Sequence, residues 1–551
     1  MPVVINNHNI EITKQYFTTE EIRFVKSLGS VYTVVNGQEK VVINIARTSK
    51  QSMYYILQLL IPNLKEDSFK EQANNIFSYL KKYYDSIEAT LDLHMQTNLI
   101  YYPKILQHQK ESVLFGLYRR NCMLALQQRL GKCLVTLTID KLIRMKKPEL
   151  NQTLIISPVK GKYNWQNEIR KWGFPLKDCL VIDSDMAGSR PSALLQFKYL
   201  IINFDILEKF IHLLEYMDVW HVVIDECHRA KSTSSQRFKH IKTLVDLYRK
   251  NNPDSFKLTF LSGTPIKRRN DDMFAYLNLS GHILGKSLTA FRKEFCETEK
   301  FAGKYTNVVG SKNNELLNKL LSNFMIRKKF ADCVEVPPNN FVKYYFEFDK
   351  NDKRYVEVAK QFQLAKSDFE ISQAVMAVSR VAALMKVKSV IKLAEDLIED
   401  GEKVAIFSFF TDVLDTVKKH FGDKCVKIDG SVTGKRAFEN IEAFRTNPDV
   451  NVIAGQTISA GEAVDMSVCS KLILCDLPFG WADLEQVIFR FLNVLKSDQI
   501  TIYLSTMKDT LDEHIADIVL SKHIDSAIVY GDKELEIESF DKLHKVLATI
   551  E

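Results

Sequence analysis

The 551-residue chain has no Cys-x-x-Cys pair, and its nine cysteines are an odd number. That argues against a structural zinc site and a disulfide framework, and for reduced thiols in the cytoplasm. No apolar run approaches the ~18–20 residues of a membrane span, and no signal peptide opens the chain. A soluble protein without a membrane partner is expected, in a host cytoplasm if its source is viral. Low-complexity tracts and short-period repeats are missing as well, which removes the solenoid and linker classes. Charge is nearly balanced: 75 Lys and Arg against 68 Asp and Glu give +7. Such a surplus permits a polyanionic partner without demanding one.

What is present is ordinary for a globular protein, 46% hydrophobic and 26% charged, but too long for a single core. Residues 1–97 read as a small α+β module. Val3-Val4-Ile5, Tyr32-Thr33-Val34-Val35 and Val41-Val42-Ile43-Asn44-Ile45 are β-like, Asn36-Gly37 marks a hairpin, and helices follow from Tyr54 to about Leu91. Beyond Tyr101, short apolar runs alternate with helices. One set of strands is expected at Leu154–Ile156, Tyr199–Ile202, Val222–Ile224 and Leu258–Leu261. A second set is expected at Val404–Phe407, Val452–Ala454, Leu472–Leu474 and Ile500–Leu504. Two such sets imply two parallel-sheet domains, at 98–275 and 386–525. Between them, 276–385 reads as a helical insertion, and 526–551 as a helical tail.

Chemistry concentrates where apolar runs stop. His221-Val222-Val223-Ile224 ends in Asp225-Glu226-Cys227-His228, a buried strand delivering two acids to the sheet edge where ligands bind. One acid can hold Mg²⁺ through water while its neighbour orients the water that attacks a phosphoanhydride. Gly131-Lys132 opens a helix, so backbone N–H groups and the helix dipole can cradle phosphate, with the lysine reaching the outer phosphates. The textual P-loop pattern is not met, because Leu126 and Cys133 stand at its first Gly and its Ser/Thr positions.

Taken in order, these blocks resemble superfamily-two helicases and translocases of the Swi/Snf-like branch. Leu106-Gln107-His108-Gln109 resembles the adenine-sensing glutamine motif, and Ala125 through Cys133 resembles motif I. Ile156-Ser157-Pro158 with Trp165 to Trp172, and Ile202-Asn203-Phe204-Asp205, resemble the branch's next two blocks. Asp225-Glu226-Cys227-His228 is similar to motif II and Leu261-Ser262-Gly263-Thr264-Pro265 to motif III. Val404 to Thr411, Thr457 to Ser467, and Trp481 to Gln486 with Arg490 resemble motifs IV, V and VI. Roughly 140 residues separate Thr264 from Phe407, an interval that in this branch forms helical protrusions bracing duplex DNA. Phe24 to Tyr32 resembles the HARP-type module that precedes annealing-helicase motors.

The resemblance implies two RecA-like lobes, ATP and Mg²⁺ as cofactors, and DNA (duplex, forked or branched) as the partner. It assigns Gln109 to adenine, Arg129, Gly131, Lys132 and Cys133 to the phosphates, and Asp225 to Mg²⁺. Glu226 positions water and Arg490 stabilises transition-state charge from the second lobe. His228, Gly263, Thr264 and Gln486 couple hydrolysis to movement, while Lys160, Lys162, Asn203, Lys267 and Thr457 contact DNA. Three departures stand out: Cys133 for a threonine, Arg129 for a loop glycine, and Asn493 for the second arginine of motif VI. Arg-Leu/Met-Gly-Lys forms of motif I occur in bacterial and phage relatives. Two other functions compete with a DNA translocase: an ATP-responsive DNA-binding or annealing protein with little hydrolysis, and an RNA helicase.

Overall fold

All eight apolar runs read as strands beyond Tyr101 fall in parallel sheets of the computed structural model. It describes residues 3–513, apart from internal stretches of which the longest are 61–66, 334–339, 347–351, 458–465, 477–483 and 492–498. Lys267, Gln486 and Asn493, most of the motif V block and the 526–551 tail lie outside the described residues. The chain divides into two units, Met1–Cys333 and Val334–Glu551.

The first unit begins with an antiparallel sheet in the order β1-β2-β4-β3, from β1 (Val3–Asn6), β2 (Asn9–Thr13), β3 (Val31–Val35) and β4 (Gln38–Asn44). Alternation on β2 and β4 turns Ile10, Ile12, Val41 and Ile43 onto one face. Helices α1 (Thr19–Ser27), α2 (Lys50–Leu60) and α3 (Asp67–Asn98) accompany the sheet, and Val25, Met53, Ile56, Leu80 and Tyr84 complete its core. Strand β2 was not expected from sequence.

The rest of this unit is built on seven parallel strands in the order β13-β5-β10-β9-β6-β8-β7. They are β5 (Asn121–Leu126), β6 (Gln152–Ser157), β7 (Cys179–Val181), β8 (Tyr199–Asn203), β9 (Val219–Asp225), β10 (Lys257–Leu261) and β13 (Met325–Lys328). Helices on both faces bury nearly every strand residue, which is why these runs are continuously apolar. Three helices matter for the site: α4 (Gln107–Leu117), α5 (Lys132–Lys146) and α6 (Val159–Lys171).

The 276–385 interval is mixed rather than purely helical. It holds a hairpin of β11 (Cys296–Phe301) and β12 (Tyr305–Ser311), then β13, and β14 (Asn340–Phe346). Within this interval, read from sequence as helical, the helix Asn314–Leu321 ends and Met325 begins β13, which pairs with β5. The helical spacing of Leu317, Leu320 and Leu321 runs straight on into Phe324, so periodicity alone overran the boundary.

The second unit carries six parallel strands in the order β14-β19-β18-β15-β17-β16. These add β15 (Val404–Ser408), β16 (Cys425–Ile428), β17 (Val452–Gln456), β18 (Lys471–Leu474) and β19 (Thr501–Met507) to β14. The long helix Asp368–Glu399 packs Ala383, Val387, Val390 and Ala394 into its core.

Candidate active site

Strand β5 ends at Leu126, and the chain turns through five residues before α5 starts at Lys132. Gly131 has φ +82°, a left-handed conformation that favours glycine, and a Cβ there would have to displace the Gln109 amide from 2.4 Å. Arg129 adopts φ +69°, a left-handed conformation costing an L-residue roughly 1–2 kcal/mol. The loop is anchored from outside. Gln127 N donates to Lys328 O at 3.0 Å, and Phe330 N donates to Gln127 Oε1 at 2.7 Å. Gln109 Nε2 donates to Leu130 O at 3.1 Å while its Oε1 accepts from Leu106 N at 3.0 Å. Lys132 Nζ lies 3.3 Å from Leu126 O, curled over the loop it follows. The first N–H groups of α5 point out of the helix end without intrahelical acceptors, a ready anion cradle.

Asp225, the last residue of β9, sits on the same sheet edge. Its Oδ2 accepts from the Trp165 indole at 2.9 Å and its Oδ1 from Glu226 N at 3.0 Å. Burial, reinforced by the Glu226 charge, pushes the Asp225 carboxyl up to about 6, against the pull of Lys132 and Trp165. Leu261 of β10 pairs with both Leu124 of β5 and Asp225 of β9, so the loop leading to Lys132 and this acid leave the same edge of the sheet. Glu226 is held at φ +48°, a strained left-handed conformation at the residue that follows the end of β9. His228 Nδ1 lies 3.2 Å from Glu226 Oε2 and 3.4 Å from Ser262 Oγ. Ser262 Oγ accepts from Thr264 N at 3.1 Å. The end of β9 is thus wired to the end of β10. Gly263 lies beside the phosphate loop, where a Cβ would stand 3.5 Å from Gln128 N.

The donor set fits a hard divalent cation held mainly by phosphate and water. A carboxyl raised first by burial and then by its acidic neighbour leaves an electrostatic deficit that a bound cation would offset. Cys133 contributes little to it. Burial, with Asp225 and Glu168 nearby, raises the thiol well above its ordinary range, leaving a neutral S–H that is a poor ligand for Mg²⁺.

The expected DNA contacts fare unevenly. Lys162 is a correction: it is buried, with Nζ 2.9 Å from Ile182 O and 2.5 Å from Asp183 Oδ1, so its charge is spent inside the unit. Asn203 ends β8 and is buried, Lys160 is half-buried on α6, and Thr457 is buried after β17. Lys267 and Gln486 lie outside the described residues. Arg490 belongs to the second unit, where it is 2% exposed and its carbonyl accepts from Met466 N at 3.1 Å. Sequence reading missed two participants. Trp165 lay in a quoted block, yet nothing in its spacing said that the indole reaches Asp225. Ser262 lay in motif III with no role assigned.

The chain is 23% identical over 483 residues to the Caenorhabditis elegans SWI/SNF-related matrix-associated actin-dependent regulator of chromatin subfamily A-like protein 1 homolog, covering 83% of this chain and 66% of that protein. It is 24% identical over 468 residues to the human DNA annealing helicase and endonuclease ZRANB3, covering 80% of this chain and 42% of that protein. It thus spans about two thirds and less than half of these two relatives. The Sulfolobus solfataricus SWI2/SNF2 ATPase core in complex with dsDNA aligns with a TM-score of 0.36 at 18% identity, over 76% of this chain and 91% of that one. The SNF2-related domain matches residues 44–394, and the helicase conserved C-terminal domain matches 385–494. The chain belongs to the SNF2-related helicase family.

Proposed function

We propose that the chain is an ATP-hydrolysing DNA translocase that moves on, anneals or remodels duplex, forked or branched DNA. One observation supports this: β10 pairs on one side with β5, which leads into the loop before Lys132, and on the other with β9, which ends at Asp225, while His228 ties the end of β9 to Ser262 of β10. Gln109 reads adenine, the loop and Lys132 bind phosphate, and Glu226 orients the attacking water. Asp225 would hold magnesium through water, and the bound ion would neutralise phosphate charge. A change in the Glu226 environment on hydrolysis reaches β10 through His228, which gives the cycle a mechanical outlet. Arg490 is assigned the charge that stabilises the transition state. Contacts to DNA are mainly to phosphate, as a motor stepping over any sequence requires, with Lys160, Asn203, Lys267 and Thr457 the candidates.

The test is phosphate release with duplex DNA, forked DNA, single strands and RNA in parallel. Duplex or forked DNA should stimulate most. Stronger stimulation by RNA would overturn the choice of track, and identical rates with and without every nucleic acid would remove the motor reading.

A further inference from the structure

Beneath the site lies a buried polar cluster that the reaction does not use. Asp140 and His221 are 1% and 0% exposed. His221 Nδ1 stands 3.2 Å from Asp140 Oδ1, and its Nε2 stands 2.9 Å from Thr259 Oγ1 on β10. An ionised carboxylate only accepts, so Nδ1 carries the proton and Nε2 accepts from the threonine. Asp140 also accepts from Arg144 Nε at 2.7 Å, Thr153 Oγ1 at 2.6 Å and Tyr199 Oη at 2.9 Å. One carboxylate on α5 therefore grips β6, β8 and β9, and β10 through Thr259.

The placement of this grip is informative. Asp140 follows Lys132 by eight residues on α5, about 12 Å along the helix axis. His221 precedes Asp225 by four residues on β9, on the same strand face, about 13 Å away. The helix and the strand are pinned at nearly equal distances below their functional ends. Any axial slip of α5 against β9 reaches the gap between Lys132 and the acid pair undiminished. Aliphatic packing resists such slip weakly, whereas directional hydrogen bonds to a buried charge fix register and rotation. Burying that charge is costly, which gives the cluster no obvious value as mere filling.

We propose that Asp140 and His221 are positioning residues that set the spacing between Lys132 and the Asp225-Glu226 pair for hydrolysis. The inference rests on the ATPase reading of the site. Its test is steady-state hydrolysis at 25 °C, with melting temperature measured beside it, for wild type, Asp140→Asn, His221→Ala and His221→Asn. Misplacing reacting groups by an ångström can cost about 10²-fold. His221→Ala should lower kcat by about 10-fold or more at temperatures where it remains folded, with little change in KM for ATP. Asparagine keeps a donor near the Nδ1 position, so His221→Asn should recover most of kcat. Asp140→Asn combined with His221→Ala should be no slower than the slower single variant. If wild type hydrolyses ATP and His221→Ala stays within twofold of its kcat despite a lower melting temperature, the cluster is structural only and this inference is wrong. If wild type itself does not hydrolyse ATP, the functional reading fails and the inference falls with it.

Discussion

The indole N–H of Trp165 reaches 2.9 Å to Oδ2 of Asp225, joining helix α6 to the acid at the end of β9. A donor to the ionised form holds a carboxyl pKa down, so removing it raises a group that burial has already lifted to about 6. Trp165→Phe keeps most of the packing and deletes the donor. The acid limb of kcat/KM should move to higher pH by about one to two units, since hydrogen bonds to charged groups are worth ~1.5–3 kcal/mol and one unit is ~1.4. An unmoved limb would exclude Asp225 as the titrating group.

Cys133 presents a neutral thiol where the resemblance expects a hydroxyl. Cys133→Thr supplies a hard oxygen in nearly the same volume. The Mg²⁺ concentration giving half-maximal hydrolysis should fall several-fold, and kcat should rise or hold. A higher Mg²⁺ requirement would mean that this position stands away from the cation.

Asn323 clamps the N-terminal module to the ATPase sheet. Its Oδ1 accepts from Ser49 N at 2.8 Å and Arg119 Nη2 at 3.3 Å, and its Nδ2 donates to Leu28 O at 3.1 Å. Two residues on, Met325 begins β13, whose last residue, Lys328, accepts from Gln127 in the phosphate loop. Asn323→Ala should destabilise the docked module by about 1–3 kcal/mol through lost hydrogen bonds and unsatisfied partners. Limited proteolysis before residue 99 should accelerate; unchanged cleavage would show that apolar contacts alone hold the module.

Acid should weaken the first unit. Burial pushes His221 and His282 down to about 4, so between pH 6.5 and 4 the unfolded chain binds protons that the folded one refuses. Stability from each is full above pH 6.5 and is lost as pH falls, by about 1.4 kcal/mol per unit within the window. Asp225 runs the other way, because its raised carboxyl takes up a proton in the folded state first. His282 Nδ1 accepts from Leu284 N at 3.2 Å, a cap that asparagine can replace. His282→Asn should flatten the dependence of the urea midpoint on pH by one proton. An unaltered slope would assign the acid sensitivity elsewhere.

Much of this was legible because chemistry sits at strand ends and buried parallel strands announce themselves as apolar runs. Val222-Val223-Ile224 ahead of Asp225, and Gly131-Lys132 ahead of an amphipathic helix, needed no tertiary information. Partners distant in sequence were not readable. Lys162 looked like a surface cation until Asp183, twenty-one residues on, was found against it. Asp140 sits in an unremarkable helix, and only the sheet beneath reveals three of its four donors, the fourth being Arg144 one turn along the same helix. The edge strand β13 is four residues long and half-exposed, too brief to interrupt the helical pattern preceding it.

The central claim is that one nucleotide is hydrolysed where Lys132 and the Asp225-Glu226 pair meet, and DNA-stimulated phosphate release tests it most directly. Lys132→Ala and Glu226→Gln should each cut the stimulated rate by about 10²-fold or more, with Glu226→Gln still binding ATP. Release from both variants equal to wild type would contradict the account.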